Sequence, residues 1–191
     1  MTEHQNLTLI ALVGLTGSGK STAVDYFTNQ GIPKVHFGNM AYEMMAERGI
    51  DKGEENEKAF RMKIREEEGP DVYARRIIEQ IHHLADAGQR HIVVDGIYTW
   101  DEYVMMKHAF PGSLNVIAVV APKKRRYRWL EDRAERPQTP QVSMARDQHE
   151  LQELQKGGPI AAANFFVMND GTVDKLYEQL DAIAKDLKFL S

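Results

Sequence analysis

One short stretch of the sequence carries residue types that bind phosphate: Gly14-Leu15-Thr16-Gly17-Ser18-Gly19-Lys20-Ser21. It matches the pattern G-x-x-x-x-G-K-[ST], in which glycines let backbone N–H groups turn towards one point. The N-terminus of a following helix adds partial positive charge at that point. Lys20 would reach the outer phosphates of a nucleotide, and the Ser21 hydroxyl would hold magnesium. The pattern predicts that residues 14–22, ending at Thr22, bind a nucleoside triphosphate.

The sequence on either side of this loop is the context that a phosphate-binding loop requires. The apolar run Leu7–Val13 predicts a buried parallel strand before it, and Thr22–Phe27 predicts a helix after it. The alternative is a Gly/Ser-rich turn without a ligand. The complete motif between a strand and a helix makes that alternative the weaker interpretation.

Asp95 is the second candidate for nucleotide chemistry. It ends the apolar run that begins at His91, and Gly96 follows it. At the end of a parallel strand its carboxylate would emerge beside the phosphate-binding loop, where an acidic group commonly positions magnesium or its waters. An acidic turn residue before a glycine is the alternative, and the presence of the loop favours the functional interpretation.

The strongly basic segment Lys123–Arg136 provides the next candidates. The residues that can form its packed stripe are Tyr127, Leu130 and Ala134. Guanidinium groups outside that stripe can donate paired hydrogen bonds to phosphate. For most of them the alternative is a solvated face with ion pairs to Glu131, Asp132 and Glu135. The proline-punctuated loop after Arg136, with Arg146 beyond it, predicts a helical hairpin that can close over a nucleotide.

Composition excludes several classes of function. The chain has 191 residues, 42% hydrophobic and 27% charged, which is typical of one soluble globular domain. The net charge of −4 disfavours nucleic acid or an acidic membrane as a partner, and the lack of cysteine excludes disulfides and thiolate chemistry. No apolar run has membrane-spanning length, and Met1–Asn6 is too polar and short for a signal peptide. We therefore expect a cytoplasmic protein.

Predicted strands and helices alternate along the chain. The predicted strands are Leu7–Val13, Pro33–Phe37, His91–Gly96, Leu114–Ala121 and Asn164–Met168. The first predicted helix begins at Thr22. The others are Met40–Arg48, Lys58–Glu68, a segment between Asp71 and Gly88, Asp101–Phe110, Lys123–Arg136, a polar segment before Lys156–Pro159, and Thr172–Leu187. Gly69-Pro70 would stop the third helix, Asp71 would cap the fourth, and Lys156–Pro159 would end the polar one. This alternation predicts an α/β domain with a five-stranded parallel sheet, helices on both faces, and a ligand at the carboxyl ends of the strands.

Several segments together resemble nucleoside monophosphate kinases: the phosphate-binding loop, the helix start at Gly38-Asn39, Asp95-Gly96, the arginine-rich hairpin, and Asn169-Asp170-Gly171-Thr172. Dephospho-coenzyme A kinases share much of this layout. The sequence is most similar to the adenylate-kinase-related proteins common in archaea, in which segments like Arg65–Pro70, Val94–Ile97 and Arg146–Glu150 recur. The resemblance covers nearly the whole chain.

The resemblance implies a P-loop NTPase fold of three layers in a single domain, residues 1–191. Its core would comprise residues 1–37, 88–122 and 159–191. Inserted helices at residues 38–87 would bind the phosphate acceptor, and residues 123–158 would form an arginine-rich helical lid.

The resemblance also assigns roles to particular residues. Lys20 would serve ATP, while Ser21 and Asp95 would serve magnesium. The residues expected to contact the transferring phosphoryl group are Arg133, Arg136 and Arg146. The loop expected to border the nucleoside base contains Asn169, Gly171 and Thr172. The acceptor site would include Gly38, Asn39 and Gly96.

The chain differs from adenylate kinases on the acceptor side. Those enzymes place one arginine near the position of Tyr42 and another where this chain has Tyr98 and Thr99, which disfavours ordinary AMP phosphorylation. We expect the two tyrosines to stack on a base or adenosine. Arg65 and Arg76 are then the candidates for an acceptor phosphate, and ion pairs with neighbouring glutamates are the alternative for both.

The sequence therefore predicts a magnesium- and ATP-dependent phosphotransferase acting on a small nucleotide or nucleotide-like acceptor. A dephospho-coenzyme A kinase is the alternative within the same class. From another class, the chain could be a slow ATPase switch that acts with a protein or RNA partner. The sequence carries no signal for the number of subunits.

Overall fold

The structure is a computed structural model that describes residues 6–69, 71–134 and 136–190, without the side chains of residues 54, 55 and 58. Pro70, which was predicted to stop a helix, lies outside the described residues. Glu135, which was offered as an ion-pair partner of the arginines in Lys123–Arg136, lies outside them too. Residues 1–5 and Ser191 of the predicted core lie outside them as well.

A five-stranded parallel sheet forms the centre of the described chain. Its strands are β1 (Thr8–Val13), β2 (Lys34–His36), β3 (His91–Asp95), β4 (Leu114–Val120) and β5 (Phe165–Met168). Their order across the sheet is β2-β3-β1-β4-β5, and every neighbouring pair is parallel. The predicted α/β class with five parallel strands is therefore confirmed. β2 is shorter than predicted because Phe37 already begins the next helix.

The helices connect these strands and cover the sheet. They are α1 (Lys20–Thr28), α2 (Phe37–Glu47), α3 (Glu54–Glu68), α4 (Val72–Asp86), α5 (Trp100–Ala109), α6 (Lys123–Glu131), α7 (Pro140–Gln152), α8 (Gly157–Ala161) and α9 (Val173–Asp186). None of the helices in the described ranges combines the length and the apolar character that crossing a membrane requires.

The apolar core lies in two layers, one on each face of the sheet. Successive side chains of a strand point to opposite faces, so Leu9 and Ala11 of β1 belong to one layer and Ile10 and Leu12 to the other. Side chains of α1 and α9 complete the layer around Ile10 and Leu12, and side chains of α2, α4 and α5 complete the opposite layer. The three-layer arrangement that the resemblance implied is confirmed.

Helix α6 differs from its prediction. It ends at Glu131 rather than Arg136, so Ala134 lies outside the helix and is exposed. The buried residues of α6 are Leu130 and, four positions earlier, Arg126. Residues four apart share a helix face. The predicted stripe was therefore wrong at Ala134, and it missed a buried arginine whose charge is met by partners distant in the chain.

Two predicted helix boundaries also need correction. The segment Lys156–Pro159 was predicted to end a helix, but α7 ends earlier and Gly157 begins the short helix α8. Asp71 precedes α4 as predicted, yet its side chain accepts no capping hydrogen bond. Its Oδ2 lies 3.5 Å from Nε of Arg75 instead.

Candidate active site

The glycine-rich loop lies between the end of β1 and the start of α1, at the carboxyl edge of the sheet. Gly17 and Gly19 have φ values of 82° and 95°, a region that residues with a side chain rarely adopt. A Cβ on Gly19 would collide with the side chain of Asn169, and one on Gly17 would lie 2.9 Å from Cγ of Leu130. The backbone therefore takes the shape that a phosphate-binding loop needs, with α6 packed directly against it.

A cavity of about 270 Å³ opens above this loop, and we name it the loop cavity. The predicted loop residues Gly14–Thr22 line it, together with side chains from other elements, namely His36, Asp95, Tyr98, Arg133, Arg146, Glu150 and Lys156. Most of the charged side chains among these are cationic. The glycines leave room for an anion, and the cationic side chains of the wall would attract it. This combination fits the outer phosphates of a nucleotide.

Lys20 and Asp95, both predicted for this site, form an ion pair with each other between Nζ and Oδ1. Nε2 of His36 lies 3.5 Å from Oδ2 of the same carboxylate. The register of β2 on β3 places His36 directly opposite Asp95, which explains the contact. Burial lowers the pKa of His36 and the Asp95 carboxylate opposes that effect, with a net decrease. The sequence analysis did not select His36 for this site. Asp95 was selected because it is a polar residue at the end of a strand, and His36 has the same position at the end of β2.

The predicted metal ligands Ser21 and Asp95 both line the loop cavity. Among the described residues there is no cluster of three or more His, Asp or Glu side chains suited to a metal ion. A magnesium site here would therefore depend on a hydroxyl, one carboxylate and the phosphates of the nucleotide, which is how phosphate-loop proteins hold this ion. Ser21 and Asp95 remain predictions in this role.

Helices α6 and α7, which lie in the segment predicted to form a lid, both contact the phosphate-binding loop at Thr16. Arg126 of α6 donates from Nη1 to the Thr16 carbonyl at 2.8 Å. The same guanidinium donates to both carboxylate oxygens of Asp147 on α7, at 2.8 and 2.6 Å. Burial raises the pKa of the Asp147 carboxyl, but the hydrogen bonds and charge of Arg126 outweigh it and the net pKa is lowered.

Glu150, one turn further along α7, holds Thr16 from the other side. Its carboxylate accepts from the Thr16 backbone N–H at 3.1 Å and from the Thr16 hydroxyl at 2.5 Å. Nζ of Lys156 lies 3.2 Å from the same carboxylate. Sequence reasoning assigned no role to Arg126, Asp147, Glu150 or Lys156, because nothing local distinguishes them from the solvated charges around them.

The three lid arginines predicted to meet one phosphoryl group are divided between two places. Arg133 and Arg146 line the loop cavity. Arg136 lines a separate cavity of about 690 Å³, together with Asn39 and Tyr42. In this arrangement Arg136 lies beside α2 and α3 and is not part of the wall of the loop cavity.

A further cavity of about 500 Å³ adjoins the loop cavity, and we name it the arginine cavity after Arg61 and Arg65. Its other lining residues are Phe37, Gly38, Tyr73, Tyr98, Thr99, Glu102, Arg146, His149, Glu150 and Leu154. The residues that line both cavities are Tyr98, Arg146 and Glu150. These three side chains form a shared wall between a phosphate-binding loop and a pair of arginines.

The chain around Tyr98 is held firmly. Thr99 and Glu102 form a capping box at the start of α5, and the Glu102 carboxylate also accepts from the Tyr98 N–H at 2.8 Å. The Tyr98 ring lies against Gly96, where a Cβ would be 3.2 Å from it. Burial raises the pKa of Tyr98 to about 12, so its hydroxyl is neutral at physiological pH.

The structure does not bring the two predicted stacking tyrosines together. Tyr42 lines the cavity of Arg136, and its hydroxyl donates to Glu57 at 2.7 Å. Tyr98 lies in the shared wall, with Nζ of Lys156 over its ring at 4.8 Å from the centroid. A single base held between these rings is therefore not supported by this arrangement.

The candidates for an acceptor phosphate, Arg65 and Arg76, also separate. Arg65 lines the arginine cavity, over the ring of Tyr73. Arg76 is not among its lining residues, and its guanidinium lies within 4.0 Å of carboxylates of Glu68 and Glu79. The ion-pair alternative therefore describes Arg76, while Arg65 remains a candidate and Arg61, which the sequence analysis overlooked, joins it.

The loop predicted to border the base has a different contact. Nδ2 of Asn169 donates to the Ser18 carbonyl at 2.9 Å, so this buried side chain braces the phosphate-binding loop. Thr172 caps α9 by accepting from the Lys175 N–H at 3.4 Å. Neither Gly171 nor Thr172 lines the loop cavity, and their predicted contact with a base stays a prediction.

The fold and the site together define a class of protein. The phosphate-binding loop lies between the central strand of a five-stranded parallel sheet and the first helix, and the arginine-bearing helices α6 and α7 pack against it. These features make this a P-loop protein with a kinase-like fold. The AAA_18 family model, for an AAA domain, matches residues 10–155. The chain therefore belongs to the AAA_18 family.

Similar proteins agree with this class. A UPF0200 protein of Pyrococcus abyssi is 30% identical over 186 residues, covering 96% of this chain and 98% of that protein. A solved shikimate kinase from Acinetobacter baumannii in complex with shikimate has a TM-score of 0.58 and 15% identity, covering 96% of each chain. A dephospho-CoA kinase from Campylobacter jejuni has a TM-score of 0.56 and 14% identity, covering 95% of this chain and 98% of that one. At such identities the two kinases show the fold alone, and they confirm the predicted resemblance at that level.

Proposed function

We propose that this chain is an ATP- and magnesium-dependent phosphotransferase that moves the γ-phosphoryl group to a small nucleotide or nucleotide-like acceptor. The observation that carries the proposal is the wall of Tyr98, Arg146 and Glu150 that the loop cavity and the arginine cavity share. Phosphoryl transfer needs its donor and acceptor oxygens close together and in line, and adjoining cavities can hold them so.

On the donor side, the chain supplies positive charge from fixed positions. Lys20 stands at the start of α1 beside the loop N–H groups, and outer phosphates in the loop cavity would compete with Asp95 for its ammonium. Magnesium, which Ser21 and Asp95 would hold, neutralises phosphate charge when it is bound. Arg133 and Arg146 line the same cavity from the lid and would add further positive charge.

On the acceptor side, the arginine cavity offers groups that bind an anion. Arg61 and Arg65 line it, and their guanidinium forks suit a phosphate or carboxylate. The Tyr73 hydroxyl in its wall is buried and has no hydrogen-bond partner among the described residues. These features support an acceptor that carries a negative charge, which a nucleoside monophosphate or dephospho-coenzyme A would satisfy.

The proposal is tested by supplying ATP and magnesium with a panel of nucleoside monophosphates and dephospho-coenzyme A, and measuring ADP formation together with the mass of each acceptor. We expect at least one acceptor to gain a phosphoryl group. That acceptor should also raise ADP formation above the rate measured without any acceptor, where only water can accept the group. Lys20→Ala protein, prepared in parallel, measures any contaminating activity.

Two other results of this panel would change the proposal. Phosphorylation of dephospho-coenzyme A alone would select the alternative kinase. ATP consumption that no acceptor accelerates would contradict the phosphotransferase and favour an ATPase switch.

Arg65→Ala is expected to raise the KM of the acceptor about tenfold to a hundredfold, because a charge-assisted hydrogen bond is worth roughly 1.5–3 kcal/mol. The KM of ATP should change little, since Arg65 is not part of the loop cavity. Arg76→Ala is the matched control on the neighbouring helix, and it should leave both constants near their original values. An Arg65→Ala protein that behaves like Arg76→Ala would remove Arg65 from the acceptor site.

Arg146→Lys is expected to lower kcat about tenfold or more while changing ATP affinity much less, because lysine keeps the charge but lacks the planar fork. Arg146 lines both cavities, where a transferring group would pass. Arg125→Lys is the control, since Arg125 is exposed on α6 and outside both walls. Equal small effects at the two positions would mean that the lid arginines are a solvated surface.

A further inference from the structure

A buried lysine stands beside the wall that the two cavities share. Lys156 is only 2% exposed, and it lines the loop cavity just before α8 begins. Burying an ammonium group costs free energy unless its charge is met by partners. What Lys156 faces is therefore informative.

The described contacts of this ammonium are the Glu150 carboxylate at 3.2 Å and the face of the Tyr98 ring. Burial lowers the pKa of Lys156, Glu150 opposes that effect, and the charges of Lys20 and Arg146 lower it further. Lys20 and Arg146 are therefore near enough to repel Lys156, and all three side chains line the loop cavity. An anion in that cavity would be attracted by all three.

The single carboxylate of Glu150 does not neutralise this group of cations. Its Oε2 accepts a hydrogen bond from the Thr16 N–H and its Oε1 accepts one from the Thr16 hydroxyl. The same Oε1 lies 3.6 Å from Nε of Arg146. Asp95, the other carboxylate of the loop cavity, is paired with Lys20. The described wall therefore keeps an excess of positive charge, and this charge lies beside the boundary with the arginine cavity.

The backbone around Lys156 is held by contacts on both sides of this residue. The Lys156 N–H donates to the Glu150 carbonyl at 3.0 Å. Two residues later, Gly158 packs so closely on Trp100 that a Cβ would lie 2.6 Å from the indole. A cation anchored in this way is preorganised and needs no ordering when a ligand arrives.

We infer that Lys156 is a catalytic residue that contacts the γ-phosphoryl group before and during its transfer, and that Glu150 orients it. The inference rests on the proposed function and adds a fixed cation to that site. An acceptor oxygen forms its bond to the γ-phosphorus as the bond from that phosphorus to the β–γ bridging oxygen breaks, and ADP keeps the electron pair. An ionised acceptor phosphate has no proton to lose, whereas a hydroxyl would release one to solvent. Lys156 keeps its protons and contributes charge alone.

The test compares the binding of ADP and of the β,γ-imido analogue of ATP, each with magnesium, by calorimetry. The variants are Lys156→Met and the double variant Lys156→Met with Glu150→Gln. The double variant removes both buried charges at nearly constant shape, so it addresses the possibility that Lys156→Met alone does not fold. Thermal unfolding identifies the variants that are folded.

We expect both folded variants to bind the imido analogue about tenfold to a hundredfold more weakly, as for the loss of a charge-assisted hydrogen bond. Their affinity for ADP, which lacks the γ-phosphate, should change less than about threefold. A double variant that binds the analogue as tightly as the original protein would overturn the inference and make Lys156 only the partner of Glu150. Equal weakening of both nucleotides would overturn it too, because Lys156 would then shape the loop as a whole.

This binding measurement needs no acceptor, so it separates the inference from the proposed function. A protein that distinguishes the two nucleotides through Lys156 but phosphorylates nothing would uphold the inference as a γ-phosphate contact and contradict the phosphotransferase. If the original protein transfers phosphoryl groups and Lys156→Met keeps normal nucleotide discrimination and turnover, the phosphotransferase is upheld and the inference about Lys156 is contradicted.

Discussion

Replacement of Lys20 by alanine is expected to leave the fold intact and to lower turnover about a hundredfold to a thousandfold, the usual effect of removing one preorganised charge at a transition state. Lys20 lies at the start of α1 and forms an ion pair with Asp95. Its side chain is not part of the apolar core, so its removal should not disturb core packing. Turnover is measured with saturating ATP, and folding by circular dichroism and thermal unfolding.

Lys34→Ala is the matched control for Lys20→Ala. Lys34 is exposed at the first residue of β2, while the phosphate-binding loop lies beyond the carboxyl ends of the strands. The control protein should keep near-normal turnover. A folded Lys20→Ala protein with similar turnover would refute the assignment of residues 14–22 as the phosphate site.

Replacement of Asp147 by alanine is expected to lower the free energy of unfolding by about 3–5 kcal/mol, the cost of leaving a buried charge without its partner. Arg126 would remain buried between α6 and the loop, with the Thr16 carbonyl as its remaining described acceptor. Urea denaturation measures the change. Asp132→Ala is the control, because Asp132 is exposed and lies 3.5 Å from an exposed arginine, Arg128, a pair worth only about 0–1 kcal/mol.

Two further measurements separate a buried ion pair from a general effect of the substitution. The double variant Arg126→Met with Asp147→Leu removes both charges and should recover most of the lost stability. The folded-state pKa of Asp147 is lowered, so its contribution is present above the ordinary carboxyl pKa and disappears as pH falls through the lowered value. Asp147→Ala should accordingly lose less stability than the original protein on acidification. Equal, small effects of Asp147→Ala and Asp132→Ala would contradict the buried pair.

The sequence by itself determined the fold class and the position of the phosphate-binding loop at the edge of the sheet. The glycines, Lys20 and Ser21 are contiguous, and a continuous apolar run before them and a helix start after them are visible in the sequence. Asp95 could be identified because parallel strands place their carboxyl ends at one edge of the sheet. Each of these inferences uses information within a short stretch of chain or a general rule of sheet geometry, so no knowledge of packing was required.

Only the tertiary structure decided which charged residues meet. Arg126 and Glu150 contact Thr16 across 110 and 134 residues of sequence. His36 reaches Asp95 through the order of the strands. Lys156 is buried against Glu150 of α7 and the ring of Tyr98, which is 58 positions earlier in the chain. The same packing directs Arg136 and Tyr42 to one cavity and Arg65 and Tyr98 to another. Pairing of charges depends on distance and burial in the folded chain, and a sequence of many similar lysines, arginines and glutamates does not encode those quantities locally.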